Sequence, residues 1–258
     1  MVSVPEPLRL RVQLTKTGMA RYLSHAEFSR ALMFAARRSR LPLDYAGEHR
    51  ARMKISLSPP IPIGVTSECE LVDFELTGYV SPVEAQRALD EAFSGGIQVV
   101  RCRLMGSGEK PVGKLIDTAR YLVTIPAGAG SLEDWARAVE EFKDKESVEF
   151  ERVQPRRTRV VDLRPGVHEL EVNGEGAGEA EEGSTTLVMT LDDGTAGTIK
   201  PWEVIEVIAG LAGVPRDSWE LALVHRNGLF ARRSDKLVSP MDLGRRKPAG
   251  SRRGGRSY

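Results

Sequence analysis

The sequence contains few of the residues that build metal or redox sites. It has only two cysteines in 258 residues, Cys69 and Cys102, and neither has a histidine or another cysteine nearby at metal-ligand spacing. We therefore expect two buried thiols, with no disulfide. The same scarcity excludes a Cys-rich zinc site or an iron–sulfur cluster held by this chain alone.

Long apolar runs are also missing. No apolar stretch approaches the roughly 18 residues that cross a bilayer. The N-terminal MVSVPEPLRL lacks the charged and apolar regions of an export signal. We therefore expect a cytoplasmic protein with no membrane association.

Common catalytic motifs do not occur. The sequence has no phosphate-binding loop, no Gly-x-Ser-x-Gly, no His-Glu-x-x-His and no Cys-x-x-x-Cys-x-x-Cys. Gly106-Ser107-Gly108 is not flanked by a strand and a helix, so it is interpreted as a linker. Ser24 adjoins His25, but consecutive helical residues do not face each other. We predict no catalytic residue, no metal ligand and no cofactor.

The net charge of +1 hides an uneven distribution. Residues 231–258 carry nine Arg and Lys against two Asp, whereas residues 173–183 are rich in Glu and Gly. We expect the first segment to be a disordered basic tail, which either adds nonspecific nucleic-acid affinity or serves only solubility. The second is expected to be the solvated turn of a long hairpin.

Hydrophobic periodicity predicts a β-α-β-β-α-β order in the first half. Residues Leu8 to Thr15 alternate between apolar and polar, as in a half-buried strand. Ser24 with Glu27 forms a capping box that predicts a helix from about His25 to Ser39. The other predicted elements are strands at Met53–Leu57, Glu68–Leu76 and Ile97–Leu104, and a second capped helix starting at Ser81-Pro82.

The second half repeats this order less clearly, with an extra strand pair. Its predicted elements are strands at 121–125, 148–153, 158–163, 168–172, 186–191 and 219–224, a helix capped by Ser131, and a helix opened by Pro201. The fold class is therefore α+β, with two tandem ferredoxin-like (split βαβ) units whose antiparallel sheets carry helices on one face. The expected boundaries are 1–105 for the first unit, 106–118 for a linker, 119–230 for the second unit and 231–258 for the tail.

Clusters of basic residues are the strongest functional signal. Arg21 precedes the first helix, His49, Arg50, Arg52 and Lys54 follow it, and Arg156, Arg157 and Arg159 lie in the second half. Arginine matches phosphate bidentately, so clusters from both halves could line one anionic cleft. Tyr22 and Tyr45 could stack on bases. The alternative is that these are solvated faces paired with the abundant Asp and Glu.

Several blocks resemble one bacterial family. They are Arg21-Tyr22-Leu23-Ser24-His25, Leu41-Pro42-Leu43, Lys54-Ile55-Ser56, Pro62-Ile63-Gly64-Val65, Val161-Asp162-Leu163-Arg164-Pro165 and Val224-His225-Arg226, and they resemble the radical-SAM-linked protein family. The resemblance implies a partner, a radical SAM protein with a cobalamin-binding-type domain that is encoded beside the family member or fused to it. This chain departs from the family pattern between Tyr45 and Lys54, where Glu48 and His49 stand in place of a Gly-Phe.

Three functions follow from these observations. The leading hypothesis is a non-catalytic accessory of a separate radical SAM protein, which binds RNA or presents a substrate in a basic cleft between the two units. The alternatives are a metal-independent RNA-processing enzyme that uses His25 or His49 near Ser24, and a module that binds only protein. With the basic residues of the family blocks added, the candidate anion-binding residues are Arg21, Tyr22, His25, Arg50, Arg52, Lys54, Arg156, Arg157, Arg159, Arg164 and Arg226.

Overall fold

The computed structural model describes residues 8–47, 51–106, 108–154, 157–175, 182–194, 197–234 and 236–243. These residues form five α-helices, one ten-stranded sheet that is mainly antiparallel, and two separate two-stranded hairpins. The predicted mixed α and β class is confirmed at this level. Arg50, Arg156, most of the acidic turn and the end of the basic tail lie outside the described residues.

The first half follows the predicted order with a small added hairpin. Its elements are β1 (Leu8–Lys16), α1 (His25–Arg38), β2 (Tyr45–Ala46), β3 (Arg52–Met53), β4 (Ile55–Leu57), β5 (Thr66–Leu76), α2 (Pro82–Asp90) and β6 (Val99–Met105). The predicted capping box is confirmed, because Ser24 accepts from the Glu27 backbone N–H and the Glu27 carboxylate accepts from the Ser24 N–H.

The second half carries one unpredicted helix and a longer last strand. Its elements are β7 (Thr118–Ile125), α3 (Leu132–Asp144), β8 (Glu149–Gln154), β9 (Arg157–Asp162), β10 (Val167–Glu175), β11 (Thr185–Gly194), β12 (Gly197–Thr198), α4 (Pro201–Ala212), α5 (Arg216–Trp219), β13 (Leu223–Arg233) and β14 (Lys236–Val238). The prediction of a strand over 219–224 was wrong, because Trp219 ends α5 and the strand starts at Leu223. Strand β13 then bulges between Arg226 and Gly228.

The two halves have the same strand arrangement. The order is β6-β1-β5-β4 in the first half and β13-β7-β11-β10 in the second, with antiparallel pairing throughout each set. In both sets the fourth strand lies beside the first, the first beside the third, and the third beside the second.

The halves are joined into one sheet. Strands β5 and β13 pair in parallel, His225 with Thr66 and Arg226 with Ser67, while β4 pairs farther along the same side of β5. The expected pair of separate sheets with a cleft between them is therefore wrong for the described residues. What lies between the halves is a joint where β4 and β13 meet end to end along β5.

The helices of the first half pack on one face of its sheet. Phe28 and Leu32 of α1 and Leu89 of α2 share a buried cluster with the alternate β1 residues Leu10 and Val12. The apolar spacing of the helices and the alternation of β1 predict that these side chains are buried. The second half has its own cluster, built on α3, α4, β7 and β11, and it extends into Cys69 and Leu71 of β5. The apolar core of the second half therefore reaches β5, the first-half strand that forms the joint.

The opposite face of the first half is covered by chain expected to be linker and tail. Arg11 is fully buried, binds both carboxylate oxygens of Asp73 at 2.7 and 2.9 Å, and donates to the carbonyls of Lys110 and Pro240. Met241 is also buried. The segments around Lys110 and Pro240 therefore belong to the fold, and the ordered chain extends beyond the expected boundary at residue 231.

Candidate nucleic-acid interface

A buried ion network holds the joint together. Arg226 is fully buried, and its Nη2 donates to Glu70 Oε1 at 2.6 Å while its Nη1 donates to Asp193 Oδ2 at 3.0 Å. A further bond runs from Nη2 to the carbonyl of Pro59 at 3.1 Å. The expectation that Arg226 binds an external anion is wrong, since its donors are used by buried protein groups.

Burial shifts the pKa values of titratable groups in and beside this network. It raises the pKa of Asp193, and the nearby Arg226 guanidinium opposes that rise only in part. It lowers the pKa of Lys16, against the attraction of Glu70. Lys16 Nζ donates to the carbonyl of Leu23 at 3.0 Å. With two carboxylates and two cations, the network keeps its charges paired inside the protein.

Three adjoining cavities cross the joint on the surface above the network. The basic cavity, of about 380 Å³, is lined by Arg9, Ala46, Arg52, Met53, Lys54, Ile55, Ser56, Asp73, Glu75, Pro111 and Lys114. The central cavity, of about 390 Å³, is lined by His25, Leu57, Ser58, Pro59, Pro60, Gly113, Asp193, Gly194 and Thr198. The hairpin cavity, of about 460 Å³, is lined by Arg152, Arg159, Val161, Asp162, Pro165, Gly166, Asp192, Gly194, Gly197, Thr198 and Ile199.

These cavities are neighbours in the fold. The central and hairpin cavities share Gly194 and Thr198. The basic and central cavities are lined by consecutive residues, Ser56 with Leu57 and Lys114 with Gly113. A Cβ on Gly113 would lie 2.7 Å from the carbonyl oxygen of Leu57, so only glycine lets this segment lie against β4.

The basic cavity contains cations that the fold neutralises unequally. Lys54 is paired with Asp44 at 2.7 Å and lies 3.7 Å from Glu75. Exposed Arg52 and Lys114, by contrast, form no ion pair with any described residue. Two of the candidate residues predicted from the sequence line this cavity. Arg52 is available to a ligand, whereas Lys54 is largely neutralised.

The hairpin of β8 and β9 supplies the cations at the other end. Arg152 lies directly across the strand pair from Arg159. Glu203 binds Arg152 through two contacts of 2.7 and 2.6 Å, whereas no described carboxylate pairs with Arg159. Arg157 lies on the same side of β9 as Arg159, and its only side-chain contact in the described chain is a weak one to Gln154 at 3.4 Å. This face of the hairpin therefore has three guanidinium groups, and Glu203 of α4 neutralises one of them.

The remaining predicted residues are spread over other places. Arg21 donates from Nε to the carbonyl of Gly64 at 2.7 Å and stacks over the ring of Tyr22, which is 58% exposed. His25 is exposed at the start of α1 and lines the central cavity. Arg164 donates to the carbonyls of Lys143 and Val167, away from the three cavities.

The serine beside His25 has a structural role. Ser24 Oγ donates to the Glu27 carboxylate at 2.6 Å and accepts from the Glu27 N–H at 3.3 Å. Both of these bonds belong to the cap of α1. The cap explains Ser24 without catalysis, and His49, one of the two histidines of the RNA-processing alternative, lies outside the described residues.

Sequence reasoning missed several charged and polar residues of the three cavities. Arg9, Lys114 and Arg152 were assigned only to polar strand faces or a linker, and Asp193 and Thr198 were not singled out. No local signal could have found them, because pairings between distant strands bring them together. Across the described residues, no three His, Cys, Asp or Glu side chains are arranged to hold a metal ion.

None of the helices in the described part of the chain has the length and apolar character that a bilayer span requires. No curated protein sequence matches the chain.

The solved structures with low similarity to this chain include the following three. A chain in the crystal structure of a Cbf5-Nop10-Gar1 complex matches 85% of this chain at 14% identity with a TM-score of 0.46, and the match covers 48% of that chain. A chain of the archaeal box H/ACA sRNP Nop10-Cbf5 complex matches 84% at 13% identity with a TM-score of 0.41, with 46% of that chain covered. An unknown protein from Galdieria sulphuraria matches 88% at 10% identity with a TM-score of 0.24, and all of that chain is covered.

The chain spans about half the length of the two complex subunits that it matches. The family comparison covers more of the sequence. Residues 9–201 match the model of a family of uncharacterized proteins conserved in bacteria, DUF2344, and the chain belongs to this family.

Proposed function

We propose that this protein binds single-stranded RNA across the joint between its two halves, as a non-catalytic accessory of a radical SAM enzyme. One observation carries the RNA-binding part of the proposal. Cations without an ion-pair partner among the described residues stand at both ends of the row of cavities, Arg52 and Lys114 at one end and Arg157 and Arg159 at the other.

The chemistry of these side chains fits a phosphate backbone. A guanidinium presents parallel N–H groups that match two phosphate oxygens, and an unpaired surface cation gives up little when it binds one. A strand lying over the row would meet cations from the first half, then the central cavity, then cations from the hairpin. Exposed Tyr22 could add a stacking contact beside this path.

The partner in this proposal rests on the resemblance of the sequence blocks to the radical-SAM-linked family. Affinity capture from a bacterial lysate, with the full chain as bait and nuclease added, tests that part separately. Recovery of a radical SAM protein after nuclease treatment would support a direct contact. Recovery only without nuclease would instead indicate that RNA bridges the two proteins.

We also propose that each half is a ferredoxin-like unit. Support comes from the strand arrangement, which is the same in both halves and carries two helices on each split βαβ set. In this interpretation a duplicated unit supplies two basic ends to one continuous surface.

The RNA-binding proposal is tested by a salt titration. Binding of a fluorescently labelled single-stranded RNA of about 20 nucleotides is measured by anisotropy at several salt concentrations, for the wild type and for the triple variant Arg52→Ala/Arg157→Ala/Arg159→Ala. Each lost phosphate contact should lower the slope of log K against log salt by about 0.7, so the triple variant should lose about 2.

A matched control removes the same charge elsewhere. The triple variant Arg30→Ala/Arg87→Ala/Arg216→Ala changes exposed arginines of α1, α2 and α5, none of which lines the three cavities. It should keep the wild-type slope. Equal losses in both triple variants would show that only net charge matters, and absence of binding at low salt would refute the proposal.

A further inference from the structure

The central cavity differs from its two neighbours in its lining. One side is apolar, with Leu57 at the end of β4 and with Pro59 and Pro60 from the chain that follows it. The other side is polar, with Asp193 at the end of β11 and Thr198 in β12. His25 completes the lining as the first residue of α1. The cavity thus has an apolar wall and a hydrogen-bonding wall that come from different halves of the molecule.

Arg226 fixes both walls in position. Its Nη2 donates to the carbonyl of Pro59, and its Nη1 donates to the carboxylate of Asp193. One fully buried guanidinium therefore sets the separation of a residue from the first half and a residue from the second. Because Arg226 holds both walls, the cavity is preformed, and ligand binding requires little ordering of the residues that line it.

The polar groups of the cavity are not all available. Ser58 Oγ donates to Glu70 and accepts from the backbone N–H of Leu71, so it is occupied by the network. Asp193 is occupied as well, because its Oδ2 accepts from Arg226 and Tyr121. The side chains of Thr198 and His25 remain, and neither forms a hydrogen bond with another side chain of the described residues. The cavity therefore suits a flat group with two apolar faces and a polar edge.

The size and position of the central cavity limit the kinds of ligand that it can bind. About 390 Å³ lies within the roughly 300–1,000 Å³ of small-molecule sites. The cavity lies between two groups of cations that have no ion-pair partner in the described part of the chain, so a group bound in it would belong to the same strand whose phosphates meet those cations. In a single strand, a base is the flat group with a polar edge, and unstacked bases are the usual targets of RNA-binding proteins.

We propose that the central cavity binds one unstacked base of the RNA strand, an inference that rests on the proposed RNA binding. The rings of Pro59 and Pro60 pack against the face of the base, and its polar edge points toward Thr198 and His25. Arg226 acts as a positioning residue, because it holds the walls and does not touch the base.

The test compares two strands of equal length and charge, an ordinary RNA and a base-free ribose-phosphate strand, at one salt concentration. The wild type should bind the base-containing strand at least fivefold more tightly. Thr198→Trp fills the cavity from the second half, and Pro60→Trp fills it from the first, so both variants should bring the ratio of affinities close to one. Thr158→Trp is the control, because Thr158 is an exposed strand threonine that does not line the cavity.

The outcomes separate the two proposals. Equal wild-type affinity for both strands, with the salt slope retained, would overturn the base-binding inference and leave the RNA-binding proposal standing. A preference that survives in both filled variants would overturn the assignment to this cavity. Failure of the wild type to bind either strand would overturn both proposals.

Discussion

Arg226 and Glu70 lie on neighbouring parallel strands from opposite halves of the molecule, and the guanidinium donates to the carboxylate at 2.6 Å and 3.1 Å. Only two residue pairs of β5 and β13 are in register in the described sheet, so the backbone ladder across the joint is short. The buried ion pair, together with the shared apolar cluster, therefore has a large part in keeping the halves together.

We predict that Arg226→Met lowers the free energy of unfolding by about 3–5 kcal/mol, because it leaves Glu70 and Asp193 buried without their cation. The loss should be smaller at pH 5 than at pH 8. Burial raises the pKa of Asp193, and without Arg226 that pKa rises further. The folded variant therefore keeps a proton on Asp193 that the unfolded chain has released, so its stability rises as the pH falls.

Urea denaturation at both pH values measures this effect. The control is Arg87→Met on the exposed face of α2, which should stay within about 0.5 kcal/mol of the wild type. A loss equal to that of the control would show that the ion network contributes nothing to the joint.

The C-terminal segment gives a second prediction. A chain ended after Ser239 loses the Pro240 carbonyl that accepts from buried Arg11, and it loses the buried side chain of Met241. It also loses the carbonyls of Met241 and Leu243, which accept from Arg103. We expect its free energy of unfolding to be at least about 3 kcal/mol lower than that of the full chain, from these charged hydrogen bonds and one apolar side chain. A chain ended after Leu243 keeps these contacts and serves as the control. Equal urea midpoints for the two shortened chains would contradict the role assigned to this segment.

The thiols give a third prediction. Burial raises the pKa of Cys69 and of Cys102 to about 12 from the ordinary 9.0. The thiolate fraction at pH 8 should therefore be about a thousandfold smaller in the folded protein than in the unfolded chain. Alkylation by iodoacetamide should be slow in buffer and fast in urea, and the folded rate should still rise tenfold per pH unit above pH 9.

Single variants assign the reaction to each thiol. Cys69→Ser and Cys102→Ser each leave one thiol, and mass spectrometry follows its alkylation. Because the folded thiols stay protonated where the unfolded chain has ionised, stability should fall as the pH rises above about 9. A folded rate that levels off near pH 9 would show that neither pKa is raised.

Local patterns in the sequence predicted most of the elements, for reasons that lie within a few residues. Ser24 and Glu27 are three positions apart, so the cap of α1 needs no tertiary contact. The alternation from Leu8 to Thr15 predicted a strand, which the structure places at Leu8–Lys16. The last strand was predicted to start too early, because Trp219 belongs to α5, and to end too early, because the bulge between Arg226 and Gly228 breaks the alternation.

The candidate site was less accessible to sequence reasoning. Arg52 was found in one basic cluster of the sequence, and Arg157 and Arg159 were found in another. The structure leaves all three without ion-pair partners among the described residues. Arg226 was misassigned, because the sequence does not distinguish an arginine in a buried ion network from an exposed arginine that binds phosphate. Burial and partners distinguish them, and both depend on strands far apart in the chain.

The sequence by itself determined the element types, the helix caps and the location of the basic clusters, because propensity, periodicity and capping act over short distances. Only the tertiary structure decided that two similar halves share one sheet, that Arg226 lies inside the joint, and that a cavity lies over it between two groups of cations. Those features depend on the pairing of β5 with β13, and the contact of Arg226 with Glu70 spans 156 positions of the chain. No local pattern encodes a contact of that separation.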